Sequence, residues 1–407
     1  MSRPRRTLGG RLGTGLALGL QGALALATAY LLALLLAARD AVRRPQPEAP
    51  AAAERLRLVV LVPAHDEEDG IAATIESLAA CEYPDASRRT VVVADNCSDR
   101  TAEVARAAGA EVWERRDPDL RGKGFAVAWA LERLLAPPAE VDAVVFVDAD
   151  CTVSANLLEA VDRHLAAGAE ALQVDYLASN PEDSATSALR FAAFALADTV
   201  RFHGKERLGL SCGLVGTGMA FTAAALRDAP WTTTGLVEDG EYHMRLVLAG
   251  VRTEFVPEAW VTQAVPTTMA ASSEQQARWE QGRLDLARAW APRLIGAGLA
   301  RRDPVRLHAG LESLVPPQSV IAVGGLAGLA VGVLGRQRRL RALALLTLGG
   351  QACFVLGGLR LVRAPASVYR ALLSAPLLIA NKLALYAQLL RGRGPSGWVR
   401  TERERQP

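Results

Sequence analysis

The chain has 407 residues, of which 50% are hydrophobic and 22% are charged, and its formal net charge at pH 7 is only +3. This length accommodates one large domain together with membrane segments, and so small a charge does not indicate a nucleic-acid partner. Its five cysteines are scattered, without a Cys-x-x-Cys pair. This spacing argues against a disulfide framework or a zinc site and fits a reducing compartment.

Apolar segments at both ends of the chain predict membrane attachment. Leu12–Ala38 contains no charged residue, and a helix of that length, at about 1.5 Å per residue, exceeds a hydrocarbon core of about 30 Å. It is also longer than the apolar region of a cleavable signal peptide, roughly 7–15 residues. Near the other end, the basic run Arg336–Arg341 separates two uncharged segments, which predicts a helical hairpin. A last apolar segment contains Lys382 and either spans the membrane or lies along its surface.

The composition therefore divides the chain into an anchored α/β domain and its flanking segments. In chain order these are a basic N-terminus (1–11), a transmembrane helix (12–38), a linker (39–54), the α/β domain (55–290), an interfacial segment (291–312), two transmembrane helices (313–335 and 342–359), a transmembrane or interfacial helix (366–391) and a polar tail (392–407).

Strand and helix patterns alternate within the α/β domain, which is typical of a mostly parallel sheet with helices on both faces. The expected strands are Leu58–Val62, Thr90–Ala94, Glu111–Glu114, Ala143–Asp148 and Ala171–Tyr176. The expected helices are Ile71–Ala80, Thr101–Ala108, Phe125–Leu135, Leu157–Ala167, a long one near Ser184–Leu208 and one from Val237.

Acidic residues follow three of these strands, and the pair Asp148 and Asp150 is the most informative. Two carboxylates one residue apart at a strand end suit a hard divalent cation that also holds a substrate diphosphate. Glu67 and Asp95 follow the two earlier strands. Because the carboxyl ends of parallel strands share one edge, where such sheets bind ligands, we predict a metal-diphosphate site there. The alternative for each acidic motif is a solvated, charged turn.

Two further residues are placed to assist this site. Pro63 ends the first strand, so that Glu67 can accept hydrogen bonds from a ribose or a uracil N–H. Lys123, in the sequence Arg-Gly-Lys-Gly, opens a helix, and the N-terminus of a helix favours anions.

Glu238 and Asp239 stand at the start of another helix. An acceptor hydroxyl loses its proton as it attacks, and a positioned carboxylate can take that proton as a general base. The alternative role is favourable charge at a helix N-terminus.

Gln275, Arg278 and Trp279 share one face of a later helix. Arg278 would stabilise a departing diphosphate, and Trp279 would stack on a sugar ring. The alternative is an amphipathic helix on the membrane surface, with the arginine reaching the headgroups.

In this order, the motifs over residues 55–290 resemble the family 2 glycosyltransferases, in particular the membrane-anchored branch of cellulose, hyaluronan and poly-N-acetylglucosamine synthases. The resemblance implies a GT-A fold and an inverting hexosyltransferase that uses a nucleotide-sugar donor, usually UDP-linked, with Mg²⁺ or Mn²⁺. By position it implies nucleoside contacts by Pro63, Glu67 and Asp95, a nucleotide and metal contact by Asp148, metal ligation by Asp150, a general base at Asp239 beside Glu238, and a Gln-x-x-Arg-Trp motif at Gln275, Arg278 and Trp279 that closes over the donor and contacts the acceptor sugar.

The sequence departs from that family at three places. Val237 replaces the threonine of a Thr-Glu-Asp motif, and Asp66 stands where many members carry asparagine. Gly213–Met219 differs from the Phe-Phe-Cys-Gly-Ser segment of cellulose synthases, which argues against cellulose as the product.

The expected acceptor is a glycan or a lipid at the cell membrane, and the catalytic domain should face the cytosol, where nucleotide sugars are found. That orientation places the arginines of residues 1–11 and of Arg336–Arg341 outside, against the positive-inside tendency, so one segment is expected to be interfacial or re-entrant. The small membrane part leaves room for an accessory export subunit. The alternatives are a transferase that adds one sugar to a membrane lipid, a non-catalytic nucleotide-sugar-binding membrane protein, and a nucleotidyltransferase, which the acidic segment Asp66–Glu68 disfavours.

Overall fold

The computed structural model describes residues 8–43, 55–138, 140–233, 235 and 237–390. Most of the predicted basic N-terminus and linker, and the whole polar tail from residue 392, lie outside the described residues. The helices are α1 (Leu8–Arg43), α2 (Ile71–Ala79), α3 (Thr101–Ala107), α4 (Lys123–Leu134), α5 (Leu157–Ala166), α6 (Ala185–Phe194), α7 (Arg201–Arg207), α8 (Ala223–Asp228), α9 (Glu238–Ala249), α10 (Met269–Arg301), α11 (Pro304–Glu312), α12 (Gln318–Leu334), α13 (Arg338–Leu361), α14 (Ala366–Ala371) and α15 (Ala375–Leu390).

The strands form one eight-stranded sheet in the order β3-β2-β1-β4-β7-β6-β8-β5. They are β1 (Leu58–Ala64), β2 (Arg88–Asp95), β3 (Glu111–Arg115), β4 (Ala143–Phe146), β5 (Cys151–Val153), β6 (Ala171–Ala178), β7 (Met219–Thr222) and β8 (Thr253–Gln263). Four pairings, β1–β2, β1–β4, β2–β3 and β6–β8, are parallel, and three are antiparallel. The predicted α/β class with a mostly parallel sheet is therefore confirmed.

The first half of the sheet was predictable because its central strands are covered on both faces and read as continuous apolar runs. Val60 and Val62 of β1 pack on one face with α2 and α5, whereas Val59 and Leu61 pack on the other with α4 and α9. All five predicted strands are present, with ends shifted by a few residues. In one such correction, β4 ends at Phe146, so Asp148 lies beyond the strand rather than within it.

Three strands, β5, β7 and β8, were not predicted. β5 has only three residues, and β7 follows Gly216 and Gly218, whose positive φ angles are typical of a turn. β8 contains Pro257, and its register against β6 shifts beside that proline, between Val174 and Asp175. Proline and a bulge both disturb the alternating pattern of a strand.

The long helix predicted near Ser184–Leu208 is present as α6, a π-helical turn (Ala195–Val200) and α7. Ser184 caps its start in a reciprocal pair with Ser187. The π-helical turn was not predicted, and its Thr199 donates a 2.7 Å hydrogen bond to Asp175 of β6. Such turns are frequent at functional sites.

Two helical stretches are long and apolar enough to cross a membrane, by length and composition: Gly13–Arg39 of α1 and all of α13. Gln21 of α1 donates to Thr347 of α13 at 2.9 Å, which ties the two helices together. Segment 313–335 forms the shorter helix α12. The basic run Arg336–Arg341 was predicted as a loop, but α13 already begins at Arg338. Only residues 335–337 separate α12 from α13.

The remaining flanking segments pack on the α/β domain or on one another. A Cβ added to Gly204 of α7 would overlap the backbone carbonyl of Leu34 in α1, so these two helices touch directly. Residues 291–312, predicted to be interfacial, form the end of α10 and α11, where Leu294 and Ala309 pack against Val247 of α9. Segment 366–391 is broken into α14 and α15 by a 3₁₀ turn.

Candidate active site

The centre of the candidate site is Lys123, the first residue of α4. Its ammonium group donates to Asp148 Oδ1 and, at 2.8 Å, to the carbonyl oxygen of Gly216. The backbone N–H of Asp148 in turn donates to Thr217 Oγ1 at 3.1 Å. Burial alone would lower the pKa of Lys123, but Asp148 and Glu238 raise it above its ordinary value. Lys123 is therefore charged and joins the acidic turn after β4 to the Gly-rich segment before β7.

Asp150 is held by a residue that the sequence did not single out. Gln263, the last residue of β8, donates its amide to Asp150 Oδ2 and accepts a 2.6 Å hydrogen bond from the Tyr176 hydroxyl. Because β8 was not predicted, no sequence signal placed Gln263 here. Its amide orients one of the two carboxylates of the Asp148–Asp150 pair.

Glu238 and Asp239 occupy the first turn of α9, beside Lys123. A Cβ added to Gly216, whose φ is +86°, would lie 3.3 Å from Lys123 Nζ and 3.4 Å from Asp239 Oδ2. Lys123 Nζ and Asp239 Oδ2 therefore approach the same position beside Gly216, which is their common point. Burial raises the pKa of Glu238 to about 7, against the lowering effect of Lys123. Burial also raises the pKa of Asp239, so this pair is suited to accept a proton near neutral pH.

Val237, which stands where a threonine was expected, makes an apolar contact instead. A Cβ added to Gly282 of α10 would lie 2.5 Å from Val237 Cγ2, so α10 packs closely against the residue that precedes Glu238. This contact brings the helix that carries Arg278 and Trp279 next to the Glu238–Asp239 turn. Valine at this position therefore joins the two motifs by packing.

Trp279 is 37% exposed on the surface of α10, and Arg278 beside it is half-buried. The Trp279 ring contacts Phe194 edge-on, with centroids 5.9 Å apart, and the guanidinium carbon of Arg190 lies 5.7 Å from the ring centroid. Arg190, which is buried in α6, was not predicted. The side chain of Gln275 lies outside the described residues.

The predicted nucleoside contacts are arranged less simply. Asp95 is buried and accepts a 2.6 Å hydrogen bond from Arg115, and the backbone N–H of Glu67 donates to Thr101. A cavity of about 470 Å³ lies nearby, and Pro63, Glu67 and Asp95 are not among its described lining residues. The residues that line the cavity are His65, Asp66, Asn96, Cys97, Ser98, Arg116, Pro118 and Arg121. Sequence reasoning missed Asn96 and the two arginines, which belong to the loops after β2 and β3.

The carboxylates of Asp148 and Asp150 fit a hard divalent cation, because oxygen-only donor sets suit Mg²⁺ and Mn²⁺. Among the described residues, the group with three close ligand atoms is a different one, Asp66, Cys97 and Asp99. Burial raises the pKa of the Cys97 thiol, and a protonated thiol is a poor metal ligand. We therefore assign no metal to that second group.

Known proteins are similar to this chain over the same region. The family model described as "Glycosyltransferase like family 2" matches residues 55–282. Similar curated proteins include the low-salt glycan biosynthesis hexosyltransferase Agl6 of Haloferax volcanii, 41% identical over 95 residues, which are 23% of this chain and 21% of that protein. The probable glycosyltransferase YdaM of Bacillus subtilis is 26% identical over 56% of this chain and 55% of that protein. An N-acetylglucosaminyltransferase of Rhizobium meliloti is 27% identical over 54% of each. The chain thus spans about half the length, or less, of these relatives.

Among solved structures, the mannosyltransferase PcManGT from Pyrobaculum calidifontis, in complex with GDP-Man and Mn²⁺, is 18% identical with a TM-score of 0.49 over 83% of this chain and 97% of that one. TarS 1–349 of S. aureus with UDP-GlcNAc is 17% identical with a TM-score of 0.42 over 83% and 93%. Because the family model covers more than half of the 407 residues, the chain belongs to glycosyltransferase-like family 2.

Proposed function

We propose that this enzyme is an inverting, metal-dependent hexosyltransferase of the membrane-anchored branch. It moves a sugar from a nucleotide-sugar, UDP-linked as in most of the family, to a glycan or lipid-linked acceptor at the cell membrane, with Asp239 as the general base. The observation that carries the proposal is that Lys123 and Asp239 both approach the common point beside Gly216, while Lys123 also binds Asp148.

The proposed reaction is a single displacement. The acceptor hydroxyl oxygen attacks the anomeric carbon, the bond from that carbon to the diphosphate breaks, and Asp239 takes the hydroxyl proton. An α-linked donor would give a β-linked product. Lys123 and Arg278 offset the charge that develops on the leaving nucleoside diphosphate. Gly216 leaves room at the common point because it carries no side chain.

Asp148 and Asp150 would hold a Mg²⁺ or Mn²⁺ ion, and the pair supplies oxygen ligands of the kind these ions prefer. Such an ion neutralises diphosphate charge when it is bound. The protein's own contribution is to orient these carboxylates, through Lys123 on one and Gln263 on the other. Pro63, Glu67 and Asp95 are proposed to contact the nucleoside, and Gln275 and Trp279 to contact the acceptor end.

A lipid-linked acceptor is favoured over a glycan channel within the helices of this chain. The predicted spans are closely packed: added Cβ atoms on Gly325 and Gly332 of α12 would lie 2.9 Å from Leu348 and 2.8 Å from Arg341 of α13. Among the described helices, such contacts leave little space between α12 and α13 for a glycan. The proposed orientation places the catalytic domain in the cytosol, and an accessory subunit would then serve export of a polymer.

The test uses the purified full-length chain in lipid nanodiscs with UDP-N-acetylglucosamine, UDP-glucose and GDP-mannose, each with Mn²⁺, with Mg²⁺ or with a chelator. We expect metal-dependent release of nucleotide from one of these sugars. In the Asp239→Asn variant this release should be lost. Asp228→Asn, at an exposed position at the end of α8, is its matched control and should keep full activity. Donor binding by calorimetry without any nucleotide release, with membrane-lipid extract supplied as acceptor, would favour a binding protein and contradict the proposal.

A further inference from the structure

Glu280, the residue after Trp279, is a buried carboxylate that the proposed reaction does not use. It is 8% exposed. Its Oε1 accepts from Lys382 Nζ at 2.6 Å, and its Oε2 accepts from the Tyr386 hydroxyl and, at 3.1 Å, from Arg283 Nε. Arg283 belongs to α10 itself, whereas Lys382 and Tyr386 belong to α15. Both carboxylate oxygens of Glu280, on the same helix as Trp279, are therefore bound by side chains of α15.

The negative charge of Glu280 and the positive charge of Lys382 stabilise the contact between α10 and α15. Burial alone would raise the pKa of Glu280, but Lys382 and Tyr386 overcome that effect and hold it below its ordinary value. Glu280 is therefore ionised at neutral pH. An unpaired buried charge is costly, so each partner favours retention of the other.

This pair also explains the position of Lys382. It is the one charged residue of α15, which is otherwise largely apolar. Lys382 and Tyr386 are four residues apart and share one helical face. The ammonium group of Lys382 thus has a carboxylate partner, Glu280, on α10.

The opposite side of the same turn is held by α6. Arg190 lies over the ring of Trp279, and Phe194 contacts that ring edge-on. Burial lowers the pKa of Arg190 to about 10, and the charge of Glu280 opposes that lowering. The Arg278–Trp279 turn thus lies between a buried arginine on α6 and the Glu280 pair on α15.

We propose that Glu280 is a positioning residue, and that its bonds to Lys382 and Tyr386 make α15 the clamp that fixes the Arg278–Trp279 turn for sugar transfer. The inference rests on the proposed function, because that turn is taken to contact the leaving group and the acceptor. The clamp fixes the part of the site that contacts the leaving group and the acceptor. Its loss leaves the nucleoside-binding residues in place. A misplacement of about 1 Å at a reacting group can lower a rate by about 100-fold. We therefore expect kcat to fall about 10- to 100-fold while the donor KM changes less than about 3-fold.

The experiment is a double-mutant cycle in the full-length chain in nanodiscs, with Glu280→Gln, Lys382→Met and the double variant. Nucleotide release from UDP-N-acetylglucosamine and GDP-mannose gives kcat and KM, and hydrogen exchange of peptides covering residues 276–283 reports the turn. Asp285→Asn is the matched control, because Asp285 forms an exposed pair with Arg288 on the same helix. We expect each single variant to lower kcat and to speed exchange, and the double variant to be no worse than the poorer single variant.

Two results would overturn the clamp: single variants with wild-type kcat and exchange, or single effects that multiply in the double variant. Lys382→Gln, a milder change, replaces Lys382→Met if that variant does not fold. If the wild-type chain releases nucleotide from neither sugar, the proposed function fails for these donors. The exchange measurement then decides the clamp alone: faster exchange in the single variants without further increase in the double supports it, and unchanged exchange refutes it.

Discussion

Substitution of Glu238 by glutamine should stabilise the folded protein at alkaline pH. Burial raises the pKa of this carboxyl to about 7, from an ordinary value of 4.5. Below pH 4.5 both the folded and the unfolded chain carry the protonated acid, so the group has no effect on stability. Between the two values the unfolded state ionises more readily, and stability is lost as the pH rises; above about 7 the loss is complete. Glutamine cannot ionise and avoids this loss.

The size of the effect follows from the difference in pKa. A change of about 2.5 in pKa corresponds to about 3 kcal/mol, which is an upper value, because Glu238 is partly exposed and interacts with Asp239 and Lys123. We expect about 2–3 kcal/mol at pH 8 after allowance for solvent screening. At about 2 °C per kcal/mol for a large domain, the unfolding midpoint should rise by about 4–6 °C.

The assay is thermal unfolding of wild type and Glu238→Gln in nanodiscs from pH 4.5 to 9, without donor or metal. Asp142→Asn is the control with the opposite sign, because hydrogen bonds from Arg57 hold the pKa of Asp142 below its ordinary value. That variant should be less stable than wild type by a nearly constant amount across this pH range, because the contribution of Asp142 is lost only as the pH falls below its ordinary pKa of 3.8. A Glu238→Gln difference that stays constant across this range would refute the reasoning.

Three further predictions concern the charges and the helix packing around the site. Lys123→Met leaves Asp148 without its cation and should lower nucleotide release at least about 100-fold, with a larger loss of thermal stability at pH 8 than at pH 5. Asp150→Asn should raise the Mn²⁺ concentration for half-maximal nucleotide release by at least about 10-fold; an unchanged Mn²⁺ titration would remove Asp150 from the metal site. Gly204→Leu should destabilise the protein by about 1–3 kcal/mol, because its side chain would overlap α1. Gly349→Leu, at a helical position with open space around it, should be tolerated in the same unfolding assay.

The sequence was most informative where local pattern and tertiary role agree. Val59–Val62 of β1 is apolar throughout because both faces of that strand are covered, so the strand and the acidic turn after β4 could be predicted together. β8 could not, because Pro257 interrupts it and its pairing with β6 shifts at that point. Strands of this kind are defined by their partners rather than by their own alternation.

The candidate site divides in the same way. Asp148, Lys123 and Asp239 could be singled out as candidates because each stands after a predictable strand or at the start of a predictable helix. Gln263 was missed because its bond to Asp150 joins residues 113 positions apart. Glu280 was missed for a related reason: its partners Lys382 and Tyr386 lie on α15, a segment whose sequence shows only an apolar run.

The most direct test of the proposed mechanism is the Asp239→Asn variant, compared with wild type for donor binding and for nucleotide release. Asparagine keeps the shape of the side chain but cannot take the acceptor proton. We expect the donor dissociation constant to change less than about 3-fold and nucleotide release to fall by about 10²- to 10⁴-fold, the usual contribution of a general base. Wild-type release in this variant, with donor bound equally well, would contradict the assignment of Asp239 and with it the proposed mechanism.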